Sequence, residues 1–480
     1  MTNLQFGTVG SQIDGVERTT GETFEVRDPS TETVIADVAV ATVDDVEAAI
    51  AAADEAADAW AEFDPVERSQ LLGRFAGRIR DDVDRLARTE TREMGRSLGA
   101  SEAQARKTAQ YFDYYGGLAD KIEGETIPIH GDSDVLDYTI REPYGVTAHV
   151  VPWNAALVLT ARSVAPALAA GNTVVAKAPE AAPLSMLRLA EIATDAGVPD
   201  GVFNVVTGGE ARTGRQLTDD DRVAHIEFTG STETGTEVMK TAADHITPVH
   251  LELGGKSPNV VFPDADLDRA AEDSAKAFWN TGQTCFAPTR IFVHEDVSEP
   301  FTDRLVEVVE SMDIGPGIDG NTIGPLVDAA AIDRVESFVE SAVADGATRL
   351  TGGARLDRAG HFYEPTLLAD VADDAPVSCT EVFGPVVTLS EFGSESAVVR
   401  RANDTEYGLY ALVWTADVSR AHRMARKLEA GTVLVNEYLF ASQQAPSGGY
   451  KKSGIGRAKG QQALESYTQT KNVVVSIADE

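Results

Sequence analysis

Between residues 145 and 243 the chain alternates, and the alternation limits what it can fold into. Residues 145–151 (GVTAHVV), 173–177 (TVVAK), 202–206 (VFNVV) and 223–228 (VAHIEF) are apolar runs of strand length, while 183–196, 210–218 and the stretch to about 243 carry helical spacing. Pro183 suits a first helical turn. Strands joined by helices run parallel and have both faces covered, so the segment predicts an α/β layer architecture. A second such region follows residue 285, with strand 289–293, helices 298–311 and 328–344, and strands 385–389 and 410–414. Two α/β domains are therefore expected, with a helical region over 44–115 packed on the first. Segment 121–143 reads as two alternating strands around a Gly-Asp-Ser turn, a hairpin that projects.

A length of 480 residues with 43% hydrophobic content supports more than one core. The two cysteines, Cys285 and Cys379, make no disulfide framework and stand in no metal-ligand spacing, so no metal is expected and a reducing cytoplasm fits. The opening MTNLQFGTVGSQIDG has no basic region followed by an apolar run, and no stretch reaches the roughly 20 apolar residues of a membrane span. Net charge is −36, which repels nucleic acid and anionic membranes. Scattered acids and scarce lysine are either a well-solvated surface or, the preferred reading, adaptation to high salt, where screening removes the self-repulsion.

Several stretches have room for chemistry. Cys285 lies in NTGQTCFAPTR, among residues that leave a thiol exposed and near donors rather than in an apolar core. Strand HIEF runs into Gly230-Ser231-Thr232-Glu233-Thr234-Gly235 and a helix, an arrangement that brings backbone N–H groups to a phosphate or is merely a turn. Lys177 and Glu180 end a strand at the edge where open α/β sheets take ligands; the alternative is a surface ion pair. Glu252, between leucines in HLELGGKSPN, reads as a carboxylate in a buried strand, which must be partnered. Asn154 stands between strand and helix, able to donate to an oxyanion or to cap the helix.

Together PWN (152–154), K-x-P-E (177–180), F-T-G-S-T-x-x-G, L-E-L-G-G-K-S-P, G-Q-x-C, E-x-F-G-P-V (381–386) and GGYKKSGIGR (448–457) resemble, in order and spacing, the aldehyde dehydrogenase superfamily over nearly the whole chain. The resemblance implies that family's fold: a Rossmann-like cofactor domain (1–120 and 144–254), an α/β catalytic domain (255–453) and a small β oligomerisation element (121–143 and 467–480). It implies oxidation of an aldehyde to a free acid in a homodimer or homotetramer. Its catalytic set is Cys285 as nucleophile, Asn154 and the Cys285 N–H as oxyanion donors, Glu252 as hydrolytic base, and Lys177. CoA-acylating relatives typically lack this glutamate. Cofactor contacts implied are Val151, Pro152, Trp153, Lys177, Glu180, Gly208, Gly230, Ser231, Gly235, Leu253, Glu381 and Phe383, with Glu180 at the ribose favouring NAD while NADP remains possible.

For the substrate side the resemblance implies Arg162, Trp279 and Phe286. Succinic semialdehyde dehydrogenases resemble this chain in carrying arginine at the position of Arg162, where a fork of donors suits a distal carboxylate; otherwise it is a helix-surface arginine. Trp279 stands where those enzymes often have a second arginine, and Ala155-Ala156 replace Phe-Pro. The smaller side chains widen the expected pocket toward 2-oxoglutarate semialdehyde, with neutral aliphatic or aromatic aldehydes as alternatives. Rival readings are a non-catalytic binding protein on the same scaffold and an esterase. Cys379 is given no role.

Overall fold

The computed structural model describes residues 6–19, 21–130, 135–438 and 442–477. An eight-stranded sheet has the order Gly454–Ile455, Val249–Glu252, Val223–Thr229, Val146–Val150, Thr173–Lys177, Phe203–Val206, Ser11–Ile13, Val16–Arg18. Its five central strands are parallel, as the alternation predicts. Every residue of Thr173–Lys177 is buried, because helices cover both faces. The chain passes from Phe203–Val206 back across Val146–Val150 to Val223–Thr229, so the order reverses beside the Val146 strand. In open sheets ligands bind outside the carboxyl ends at such a switch point.

The helical region of 44–115 is four helices, Val43–Ala61, Pro65–Asp81, Val83–Met94 and Leu98–Gly116. The first opens on a capping box: Thr42 accepts from the Asp45 N–H, and the Asp45 carboxylate accepts from the Thr42 N–H. Helix Ala156–Ala169 (ALVLTARSVAPALA) is apolar nearly all round and lies almost wholly buried against the sheet.

A second sheet, of seven strands, has the order Thr348–Thr351, Thr366–Ala369, Val386–Phe392, Arg290–His294, Pro258–Val261, Tyr410–Trp414, Thr432–Val435, all parallel except the first. A third sheet pairs Val135–Pro143 with both Thr126–Ile127 and Thr468–Ser476. The two strands of the expected hairpin are there, and its turn lies outside the described residues. Leu136, Ile140, Val474, Val475 and Ile477 are exposed along it. Among the elements that went unread in the sequence are the strands before residue 40, which are short and mixed in polarity, and Gly454–Ile455, which joins the edge of the first sheet.

One face of the first sheet is polar although buried. Val146, Ala148, Ile226, Phe228 and Leu251 fill the core on one side. The alternate positions Thr147, His149, His225, Glu227, His250 and Glu252, all buried, face the side of helix Ala156–Ala169. Burial, with the neighbouring His250 charge, holds the His149 and His225 imidazoles down to about 3. The folded state keeps both neutral while an unfolded chain protonates them near 6.5, so folding loses stability as pH falls from about 6.5 toward 3. Urea unfolding should give a lower midpoint at pH 5 than at pH 7.5. A His149→Gln/His225→Gln variant should show a distinctly smaller drop, and an equal drop would contradict the assignment.

Candidate active site

Where the two sheets meet, the chain leaves the carboxyl end of Val249–Glu252 and enters the amino end of Pro258–Val261 through Leu253-Gly254-Gly255-Lys256-Ser257. Asn154, Lys177, Ser231 and Glu252 all follow or end strands at that carboxyl edge. Cys285 precedes Arg290–His294, and Glu381 and Phe383 precede Val386–Phe392, so the second sheet presents its amino edge to the same place. Gly255 is where the halves touch: a side chain there would run into the Cys285 carbonyl oxygen. Its N–H donates to the Glu381 carboxylate at 3.1 Å.

The loop before Cys285 is strained and braced. Asn280, Thr281 and Gly282 all have positive φ (54°, 56° and 70°), and for β-branched Thr281 this costs about 1–3 kcal/mol. Compensating contacts come from buried Gln283, whose amide donates to the Asn280 carbonyl (3.1 Å) and accepts from the Val327 N–H (2.9 Å). Arg96 donates to the Asn154 carbonyl at 2.6 Å and Asn280 to the same oxygen at 3.2 Å. Asn154 does not cap the helix that follows. Its side-chain amide donates to the Gln283 carbonyl at 3.0 Å, two residues before Cys285. An amide has two N–H donors, so one remains for an oxyanion.

Cys285 is half-buried. Its thiol is pushed up to about 12, by burial first and then by the Glu381 and Glu252 carboxylates, against Arg162 and its own backbone N–H. At rest Cys285 is therefore a thiol, and to act as a nucleophile it would first have to lose its proton. Glu381 is itself pushed up to about 7 by burial, against the Gly255 N–H, Lys256 and Arg334. Buried Lys256 is brought down to about 7 by burial and by Arg290.

Glu252 is buried and partnered, as a carboxylate there has to be. Arg162 donates to its Oε2 at 3.3 Å and to Thr229 Oγ1 at 2.7 Å. Arg162 is thus no surface residue: its guanidinium is buried and engaged with Glu252. Burial works against that charge, and Glu252 and Glu227 overcome it.

The remaining candidates line the edge. Buried Lys177 bonds Glu180 at 2.7 Å, with Val151 and Gly208 also buried nearby on the same edge. The Ser231 hydroxyl caps helix Thr232–His245. A side chain at Gly235 would strike Leu253. Trp153 meets Phe383 edge to face at 5.6 Å between centroids. Trp279 is exposed and lies 6.1 Å from Tyr438, while Phe286 packs 5.3 Å from Tyr410 and 6.4 Å from Tyr438. Cys379 stands apart, exposed, its thiol on the Asp373 carbonyl. Sequence reasoning did not find Arg96, Gln283, Tyr410, Tyr438, Lys459 or the Glu227–His250 pair. Of these, Gln283 stands inside the G-Q-x-C motif, and the polar residues inside apolar runs, the H and E of VAHIEF and HLELGG, carry a second sequence signal.

Residues 16–473 match the aldehyde dehydrogenase family. The chain belongs to that family. A hydroxyisobutyraldehyde dehydrogenase from Mycolicibacterium austroafricanum is 40% identical over 462 residues, 95% of this chain and 91% of the relative. An aldehyde dehydrogenase from Bacillus cereus, solved as an NAD+ complex, superposes with a TM-score of 0.96 at 39% identity, covering 98% of this chain and 97% of its own. An Escherichia coli NADP-dependent enzyme gives 0.96 at 38%, covering 98% of each. The protein is an aldehyde dehydrogenase with the family's α/β fold, and the family uses NAD(P). Among the described residues no helix is long and apolar enough to cross a membrane.

Two carboxylates hold the Cys285 thiol up, so removing one should release its proton more easily. In Glu381→Gln, alkylation of the Cys285 peptide by iodoacetamide at pH 8, followed by mass spectrometry, should accelerate about threefold to tenfold. An unchanged or slower rate would contradict this electrostatic picture.

Proposed function

We propose that this aldehyde dehydrogenase oxidises an aldehyde bearing a distal carboxylate, of the succinic or 2-oxoglutarate semialdehyde type, to the free dicarboxylic acid. The observation that carries the substrate class is a gathering of cations in a chain of net charge −36. Lys459, with a left-handed backbone (φ 62°), has its ammonium brought down to about 8 by burial and then by Arg162 and Lys107, within electrostatic reach of Cys285 and Glu252. Lys107 lies 5.9 Å from the Tyr111 ring on the neighbouring helix face. Arg162, committed to Glu252, supplies charge at the inner end, and Lys459 has the reach to meet a substrate carboxylate. Trp279 and Phe286 form the apolar wall.

In this reading the Cys285 thiol gives up its proton to water on attack, a step that does not need Glu252, and the thiolate attacks the carbonyl. The Asn154 amide and the Cys285 N–H hold the oxyanion. Glu252 then takes a proton from the water that cleaves the thioester and regenerates the thiol. Lys177 and Glu180 suit the adenosine ribose, the Gly230–Gly235 turn with its helix N-terminus suits a diphosphate, and Glu381 and Phe383 suit the nicotinamide ribose. Bound there, NAD, or less readily NADP, supplies the hydride acceptor. Glu180 accepts from a 2′-hydroxyl and repels a 2′-phosphate, which favours NAD.

A second reading is a short hydroxyaldehyde substrate, favoured by the name of the Mycolicibacterium relative. We further propose a cytoplasmic homodimer or homotetramer, assembled on the sheet that carries exposed Leu136 and Val474, and suited to concentrated salt. Light scattering showing a monomer, or a melting temperature that does not rise with salt, would remove the corresponding part.

Lys459→Leu should lower kcat/KM for succinic or 2-oxoglutarate semialdehyde about tenfold to hundredfold, the worth of a charge-assisted bond of about 1.5–3 kcal/mol, while sparing a neutral aldehyde. Equal losses on both would overturn the substrate class, and selective turnover of a hydroxyaldehyde would install the second reading. Glu252→Gln should give a burst of NADH followed by little turnover, and undiminished steady-state turnover would sink Glu252 as base.

A further inference from the structure

Glu227 and His250 are register partners on adjacent parallel strands, with side chains on the same buried face. His250 Nδ1 lies 2.5 Å from Glu227 Oε2, a strong charge-assisted pair. On the other side His250 Nε2 lies 3.6 Å from Glu252 Oε1, an ion-pair distance, and neither of these two atoms has a hydrogen-bond partner among the described residues. The second oxygen of Glu252 is the one that Arg162 holds at 3.3 Å. Glu252 thus lies between two cations, and only one of them, Arg162, belongs to the reading above.

The imidazole cannot turn away. Gly456 lies against it, and a side chain at 456 would come within 2.7 Å of His250 Cδ2. Tyr467 donates to Glu227 Oε2 at 3.4 Å from the opposite side. Burial works against the His250 charge, but Glu227 and Glu252 overcome it and carry the imidazolium up to about 10. The other ionisable groups facing this cluster do not supply the charge in its place. His225 and His149 on the neighbouring strands are neutral, Tyr111 and Tyr467 are held well above neutral pH, and the Cys285 thiol is protonated. Lys459 adds a further positive charge within electrostatic reach.

A buried ion pair is a weak way to stabilise a fold, since apolar residues of the same volume do as well or better. Its place beside the carboxylate proposed as the hydrolytic base points to function. We propose that the buried Glu227–His250 pair is a positioning device for Glu252: Glu227 anchors the imidazolium, and the imidazolium with Arg162 orients the Glu252 carboxylate for thioester hydrolysis. This rests on Glu252 being the hydrolytic base.

The test is the pH dependence of steady-state kcat in two variants, with the pre-steady-state NADH burst as a check on folding, cofactor binding and acylation. His250→Gln removes the cation and leaves Glu227 uncompensated. The double variant Glu227→Gln/His250→Gln replaces the ion pair by two amides of similar shape and leaves no orphan charge. The acid limb of the profile should move upward in both, by about one pH unit or more in the single variant and less in the double, with the burst retained. At a pH on that limb, one unit is a tenfold loss of kcat. If the single variant does not fold, the double carries the result. A double variant with the wild-type profile overturns the proposal. Should Glu252→Gln stall turnover while the pair variants behave as wild type, only the role of the pair fails; should Glu252→Gln turn over normally, the underlying reading fails as well.

Discussion

A carboxylate out of reach of bulk water has to be matched, and much of the site follows from how Glu252 is matched. It ends a buried strand of the first sheet, six residues before the first strand of the second, so whatever holds it also fixes the seam between the sheets. Arg162 comes from the helix on one side, and His250, backed by Glu227, from the same sheet. Deleting one member of such a cluster leaves an uncompensated charge, which costs about 3–5 kcal/mol, whereas the whole cluster adds little net stability. Its worth is the direction of one carboxylate.

Cys285 is governed from the other side of the seam. Three consecutive left-handed residues turn the chain just before Cys285, and Gln283, Asn154 and Arg96 hold that turn to the first sheet. Strain kept in this way is common where a reacting atom must be presented in one orientation. The same closeness sets two carboxylates near the thiol and keeps it protonated at rest. A thiol that is inert until it loses its proton is spared oxidation and stray alkylation.

The parallel sheets were legible because buried strands such as TVVAK and YALVW are continuous apolar runs between helical periods. The candidate catalytic residues stood out in the sequence because short motifs carry them. Short strands such as Ser11–Ile13 were not, since two or three residues hold no period. Arg162 was visible as a residue but not as a partner. Its spacing from Asn154 gives a helix face, and only the packing of that helix on the first sheet sets the guanidinium against Glu252 instead of in an open pocket. Glu227 and His250 were hidden for a similar reason: parallel strands far apart in the chain acquire their register only on folding. The strained Asn280-Thr281 turn has no signature in residue type, because neither residue is glycine.

In the mechanism we propose, a covalent intermediate forms at Cys285 and Glu252 clears it. The direct measurement is intact-peptide mass spectrometry of Glu252→Gln quenched after mixing with NAD and an aldehyde that the wild-type enzyme oxidises. The peptide containing Cys285 should carry the mass of the acyl group in near-stoichiometric yield, and hydroxylamine should remove it. Exposed Cys379 should remain unmodified. An acyl group on another residue, or no adduct while NADH forms in a burst, would contradict the account.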